Sequence, residues 1–283
     1  MNKTCLRIGL AVGIAVALTI GLLITSDNSD HREKTNLKNI EQSFTHILVK
    51  NNIILKGCIA PHNKPPCEKL KLNPISPPIK TMGSGAVVAH GVNTTYVITA
   101  GHVCTFETPS QTKNDGYTFF VEPRVEIKAR DYWGNIHPAS VVAVDNENDI
   151  CILRTRGIWS TPIPMATKMP VLGEKVTTIA APLGIFSPGM VLKFDGHYVG
   201  SDKYGHAFFT TPTAPGSSGS VILNKSGEIV SVIHSAMRRF ESVGLGSRVE
   251  DVLELLRTNV LNVGSLSWEN DEDHYLGKYS NIP

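Results

Sequence analysis

Short apolar runs separated by turn residues recur along most of the chain. The series opens with His46-Ile47-Leu48-Val49 and Ile53-Ile54-Leu55. It continues through Ala86-Val87-Val88, Tyr96-Val97-Ile98, Phe119-Phe120-Val121, Ser140 to Val144 and Ile150-Cys151-Ile152-Leu153. Beyond these come Gly173 to Ile179, Gly189 to Leu192, His206 to Thr210, Val221 to Leu223 and Glu228 to Ile233. Many short strands divided by turns predict an all-β sandwich or barrel. Helical spacing stands out at Val249, Val252, Leu253 and Leu256, which predicts one short C-terminal helix. The Pro- and Lys-rich stretch from Cys58 to about Lys80 reads as a loop.

The N-terminus follows another pattern. Lys3 and Arg7 precede an apolar run from Ile8 to Ile24, long for a signal-peptide core and just long enough to span a membrane. Basic residues ahead of the run favour a cytoplasmic N-terminus and an exported remainder. Residues 1–26 are therefore expected to form a signal anchor, preferred over a cleaved signal peptide, and 27–38 a polar tether. Residues 263–283 are acidic around Glu269 to Asp273, and a disordered tail is expected there.

Composition narrows the function. With 283 residues and 41% hydrophobic content, the chain can build one sizeable domain or two small lobes. A net charge of +2 without a basic stripe argues against a nucleic-acid partner. Cys58 and Cys67 bracket a Pro-rich loop and are expected to pair in an oxidising compartment. His62 alone between them is too little for a metal site, and neither metal nor organic cofactor is expected.

Three segments carry candidate chemistry: Thr99-Ala100-Gly101-His102, Asn148-Asp149-Ile150, and Thr213-Ala214-Pro215-Gly216-Ser217-Ser218-Gly219-Ser220. A serine hydroxyl is a weak nucleophile near neutral pH. An imidazole that takes its proton, oriented by a carboxylate, makes it competent. His102 follows a strand that runs into a glycine turn, and Asp149 leads directly into the apolar run Ile150–Leu153, which favours it over Asp145 and Glu147. Glycines around Ser218 allow a tight turn that aims the N–H groups of Gly216 and Ser218 at one point, where an oxyanion would develop.

At these residues the chain resembles the chymotrypsin-like serine peptidases, in particular the bacterial and phage branch of Deg/HtrA proteases and glutamyl endopeptidases. Thr99-Ala100-Gly101-His102 resembles the histidine motif, and Asp149-Ile150-Cys151-Ile152-Leu153 the aspartate strand. Gly216-Ser217-Ser218-Gly219-Ser220 resembles the nucleophile turn, and Gly83-Ser84-Gly85-Ala86-Val87-Val88 the strand before the histidine. The resemblance selects Ser218 over Ser217 and Ser220. It implies two six-stranded antiparallel β-barrels within residues 39–262, the first over about 39–160 and the second over about 161–262. It also implies a serine endopeptidase working through His102, Asp149 and Ser218 by an acyl-enzyme, on polypeptide substrates, outside the cytoplasm. The tail is too short for a PDZ domain, a departure from the Deg/HtrA pattern. The family disulfide next to the histidine is also missing, because Val103 holds that position. Cys104 and Cys151 are expected to be buried small hydrophobes.

In the glutamyl endopeptidases a threonine before the nucleophile and a histidine on a later strand bind an acidic P1 side chain. Thr213 and His234 are the counterparts here, but ungapped spacing from Ser218 falls on Ile233 and leaves His234 one residue late. One residue is a change of face on a strand, which a bulge could restore. An apolar pocket near Ile233 is the competing expectation. The alternative to an enzyme is a catalytically silent protease-like domain that binds peptides or a partner protein.

Overall fold

A computed structural model describes residues 40–67, 78–106, 111–237 and 240–261. The expected anchor, tether and acidic tail lie outside the described residues. Among the described residues, no helix is long and apolar enough to cross a membrane.

The chain forms thirteen strands and two short α-helices among the described residues. In the first half, β1 (Phe44–Ile59), β2 (Ile79–Gly91), β3 (Thr94–Ala100), β4 (Gln111–Asn114), β5 (Tyr117–Arg130), β6 (Ile136–Asp145) and β7 (Ile150–Thr155) make one antiparallel sheet. Its order is β1-β2-β3-β7-β6-β5-β4. Strand β1 also pairs with β5 from His46↔Arg130 to Ile59↔Thr118, so the sheet returns on itself with β4 as an added edge. In the second half, β8 (Lys175–Ala180), β9 (Leu192–Ser201), β10 (Ala207–Phe209), β11 (Val221–Leu223), β12 (Ile229–Met237) and β13 (Phe240–Gly246) close a six-stranded barrel. The expected six strands are thus found in the second half, whereas the first half uses seven. Helix α1 (Gly101–Cys104) is a single turn after β3. Helix α2 (Val249–Leu256) follows β13 and buries Val249, Val252, Leu253 and Leu256, the four residues with helical spacing.

Hydrophobic alternation accounts for most of this arrangement. Ile47, Val49, Val87, Val97, Ile127, Ala129, Cys151 and Leu153 meet inside the first sheet. All of Ile150–Leu153 is buried, so β7 is covered on both faces. The two apolar runs at the start of the series are one strand of sixteen residues, not two. Lys50-Asn51-Asn52 interrupts the hydrophobicity without breaking the strand, because β5 pairs through that stretch on one side and β2 pairs as far as Asn51↔Ile79 on the other. Gly189 to Leu192, expected as a strand, is instead largely a turn closed by a Ser187–Met190 bridge, and β9 begins at Leu192.

The cysteines give one agreement and one correction. Cys58 and Cys67 are disulfide-bonded, as the loop between them suggested. Cys104 and Cys151 are buried but are not free thiols: they form a second disulfide. They are 47 residues apart in sequence, and only the pairing of β3 with β7 and the fold-back of α1 bring them within 6.4 Å between Cα atoms.

His46 on β1 lies in an unusual setting. It is 3% exposed, sits opposite Arg130, and has the Phe186 ring 5.7 Å away. Among the described residues neither ring nitrogen has a hydrogen-bond partner. Burial first, and the nearby Arg130 charge second, push its pKa down from 6.5 to about 4. The unfolded chain therefore takes up a proton near pH 6.5 that the fold refuses until about pH 4. Stability from this residue is complete above pH 6.5 and is lost as pH falls towards 4, by about 3 kcal/mol at most. Urea midpoints measured between pH 7 and 4 should fall more steeply for the native protein than for His46→Gln, which has nothing to titrate there. Equal slopes would contradict this.

Candidate active site

His102 and Asp149 reach each other because their strands are neighbours. Strands β3 and β7 pair up to Ala100↔Ile150, so the residues just beyond, Gly101 and Asp149, lie side by side. The Gly101 N–H donates to the Asp149 carbonyl at 2.9 Å. Asp149 has φ +54°, a left-handed conformation that Asp and Asn tolerate better than most residues. Its carboxylate accepts twice from one residue: Oδ1 from the His102 backbone N–H and Oδ2 from Nδ1, both at 2.7 Å. A carboxylate only accepts, so Nδ1 carries a proton, and in the neutral ring Nε2 is then the accepting nitrogen. Burial pushes the Asp149 carboxyl up, but the two His102 hydrogen bonds and the neighbouring imidazoles outweigh it. The pKa lies below the usual carboxylate value. Asp145, the competing carboxylate, is occupied elsewhere: it accepts from the Glu147 and Asn148 N–H groups and from Asn148 Nδ2, and so shapes the turn that presents Asp149.

Ser218 sits in a turn docked onto the first sheet. The Ser84 N–H donates to the Ser218 carbonyl at 2.7 Å, and the Gly219 N–H donates to Ile233 O at 2.6 Å. The Pro215 carbonyl accepts from the Leu183 N–H at 2.6 Å. In a trans peptide, the Gly216 N–H then points to the opposite side. Within the turn, the N–H groups of Ser217, Gly219 and Ser220 all donate to carbonyls. Those of Gly216 and Ser218 find no acceptor among the described residues. The two groups named from the sequence are thus the two left open. Ser218 reaches the histidine helix across Gly83, where a Cβ would meet Val103 Cγ2 at 2.8 Å and Ser218 O at 2.9 Å. No hydrogen bond joins Ser218 to His102.

The third group of expected residues, Thr213 and His234, lies before the nucleophile turn and on β12. Strand β12 carries the bulge that the spacing asked for: Ile233 pairs with Gly246 and Ser235 with Leu245, which leaves His234 as the extra residue. The residues that converge on Gly244 are Thr213, Ile233 and Thr211. A Cβ on Gly244 would lie 2.6 Å from Thr213 Oγ1 and 3.0 Å from Ile233 Cδ1. His234 has its ring 5.8 Å from that of His206, which bonds Asp202 at 2.9 Å. Burial lowers the His234 pKa most, against an opposing pull from the Asp149 charge. His234 therefore lies within electrostatic reach of the His102–Asp149 pair. Among the described residues no group of three or more His, Cys, Asp or Glu side chains is placed to hold a metal.

One contributor was not singled out from the sequence. Fully buried Ser84 donates from Oγ to Gly216 O at 2.8 Å and accepts the Ala181 N–H at 3.0 Å. It ties the peptide that presents the Gly216 and Ser217 backbone to both sheets at once. The only signal for it was its place between Gly83 and Gly85. Ser84→Ala leaves a buried carbonyl and a buried N–H unpaired, at a cost of about 1–3 kcal/mol. Thermal unfolding should show that loss, and an unchanged melting curve would remove Ser84 from this account.

The model of the trypsin-like peptidase domain matches residues 83–232, more than half of the 283-residue chain. The chain belongs to the trypsin-like peptidase family. Among solved structures it is similar to the serine endoprotease from Yersinia pestis, with a TM-score of 0.54 and 16% identity over 81% of this chain and 67% of that one. It is also similar to the active form of the Rv3671c protease from M. tuberculosis, with a TM-score of 0.53 and 17% identity over 80% of this chain and 84% of that one. No curated protein matches the chain.

Proposed function

We propose that the protein is a serine endopeptidase in which Ser218 attacks the scissile carbonyl. His102 Nε2 takes the hydroxyl proton and later gives it to the leaving amine. Asp149 holds the Nδ1–H tautomer and offsets the imidazolium charge. The Gly216 and Ser218 N–H groups receive the oxyanion, and water then releases the acyl group. The observation that carries this reading is the division of labour in the nucleophile turn, where three N–H groups are spent on carbonyls and the remaining two find no acceptor among the described residues. No cofactor takes part in it.

In this reading Thr213 and His234 are the candidate substrate-binding residues for an acidic P1 side chain, with an apolar pocket near Ile233 as the competing form. The site of action is outside the cytoplasm, with the N-terminal apolar run as anchor or export signal. Two disulfides support an oxidising compartment.

The test is hydrolysis of unfolded casein by the full chain beside Ser218→Ala, with the new N-termini sequenced. Cleavage by the native protein alone is expected, and the residues preceding the new N-termini distinguish an acidic from an apolar P1 preference. A folded native protein that leaves casein intact but retains it on a column would favour the peptide-binding alternative, which the missing His102–Ser218 hydrogen bond suits.

A further inference from the structure

The two members of the His102–Asp149 pair are presented by fragile local structure. Helix α1 is a single turn of four residues, far too short to persist alone. Its preceding residue, Ala100, supplies no side-chain cap. Asp149 occupies a left-handed turn position. Yet each lies two residues before a cysteine, and those cysteines are bonded to each other. Residues His102-Val103-Cys104 and Asp149-Ile150-Cys151 thus form the two sides of a small ring. The disulfide closes one end, and the Nδ1–H···Oδ2 hydrogen bond closes the other.

The sheet itself has little need of a cross-link at this place. Strands β3 and β7 are already paired without interruption from Thr95↔Thr155 to Ala100↔Ile150. What the bridge adds is a hold on the C-terminal end of α1. The other end is held by Gly101 N–H to Asp149 O and His102 N–H to Asp149 Oδ1. Both sulfur-bearing residues are buried, Cys104 at 7% exposure and Cys151 at 0%, in the same cluster as Val87, Val97, Val103 and Leu153. The bridge is therefore fixed to the buried core of the first sheet, while the imidazole it supports stays half exposed to solvent.

We propose that the Cys104–Cys151 disulfide is a positioning element of the hydrolytic site, holding α1 against β7 so that His102 keeps both hydrogen bonds to Asp149. The proposal rests on the reading of His102, Asp149 and Ser218 given above. The bridge touches no substrate and acts through His102.

The experiment compares the oxidised full chain with Cys104→Ala/Cys151→Ala and with Cys104→Ala/Cys151→Val, which refills part of the core. A fluorophore-bearing fluorophosphonate probe gives kinact and KI separately, and proton NMR reads the low-field resonance of the His102 Nδ1–H. Loss of positioning should lower kinact about 10- to 100-fold while KI holds, because only the proton-accepting geometry is disturbed. The low-field line should broaden or vanish in both variants. A lower melting temperature with kinact and the proton line unchanged would make the bridge an ordinary staple and overturn the proposal. So would failure of both variants to fold, since the bridge would then serve the sheet. A native protein that shows the line but takes no label would refute the nucleophile reading. In that case the positioning role is still decided by whether the line disappears in the variants.

Discussion

Gly219→Ala is expected to cost about 3 kcal/mol or more and to abolish any activity of Ser218. The position has φ +87°, which an alanine adopts only under strain. A Cβ there would lie 2.1 Å from Ser84 O and from Thr99 Oγ1, and 2.9 Å from Ala100 N. Two of those three atoms are backbone, and Thr99 Oγ1 already donates to Ser84 O at 2.7 Å, so the site cannot relax by turning one flexible side chain. The contact is the place where the second barrel seats on the strands that lead to His102. Overfilling it separates the nucleophile turn from the imidazole as well as destabilising the fold. Calorimetry should show a fall in melting temperature of about 10 °C, or no soluble protein. A melting curve within a degree or so of native would mean that the two halves do not close on each other as described.

Asp149→Asn is expected to do the opposite: keep the fold and remove about 10⁴-fold in rate. Asn tolerates φ +54° as well as Asp does, so the turn has no reason to change. An amide has one accepting oxygen, whereas Asp149 accepts from both the His102 N–H and Nδ1. One of those hydrogen bonds must go. If the amide nitrogen faces Nδ1, the imidazole has to present its lone pair there and its proton at Nε2, the wrong tautomer for accepting a proton from Ser218. Fluorophosphonate labelling rates with a native circular-dichroism spectrum measure the effect. A loss of less than about 10-fold would remove Asp149 from its assigned role.

Much of the site was legible because its chemistry is local in sequence. His102, Asp149 and Ser218 each sit where a strand meets a glycine or a turn, and strand–turn patterns are short-range signals. The all-β class followed from the same short runs. Long-range relations were out of reach. The Cys104–Cys151 disulfide depends on the register of β3 against β7, which no spacing reveals. Ser84 is a serine among glycines until β2 is laid against the nucleophile turn. The bulge at His234 was foreseen as a device, but its consequence was not. The extra residue has its ring beside that of His206, while Ile233 and Thr213 both lie next to Gly244. Strand β1 was divided in two because hydrophobic periodicity marks burial, and Lys50 to Asn52 is held in the strand by pairing alone.

The central claim is that Ser218 is an activated nucleophile. Its most direct measurement is treatment of the full-length chain with a fluorophosphonate, followed by peptide mapping of the adduct by mass spectrometry. One phosphonylated residue is expected, Ser218, with no label in His102→Ala or after prior unfolding. A label on another serine, or an unlabelled Ser218 in folded protein, would contradict it.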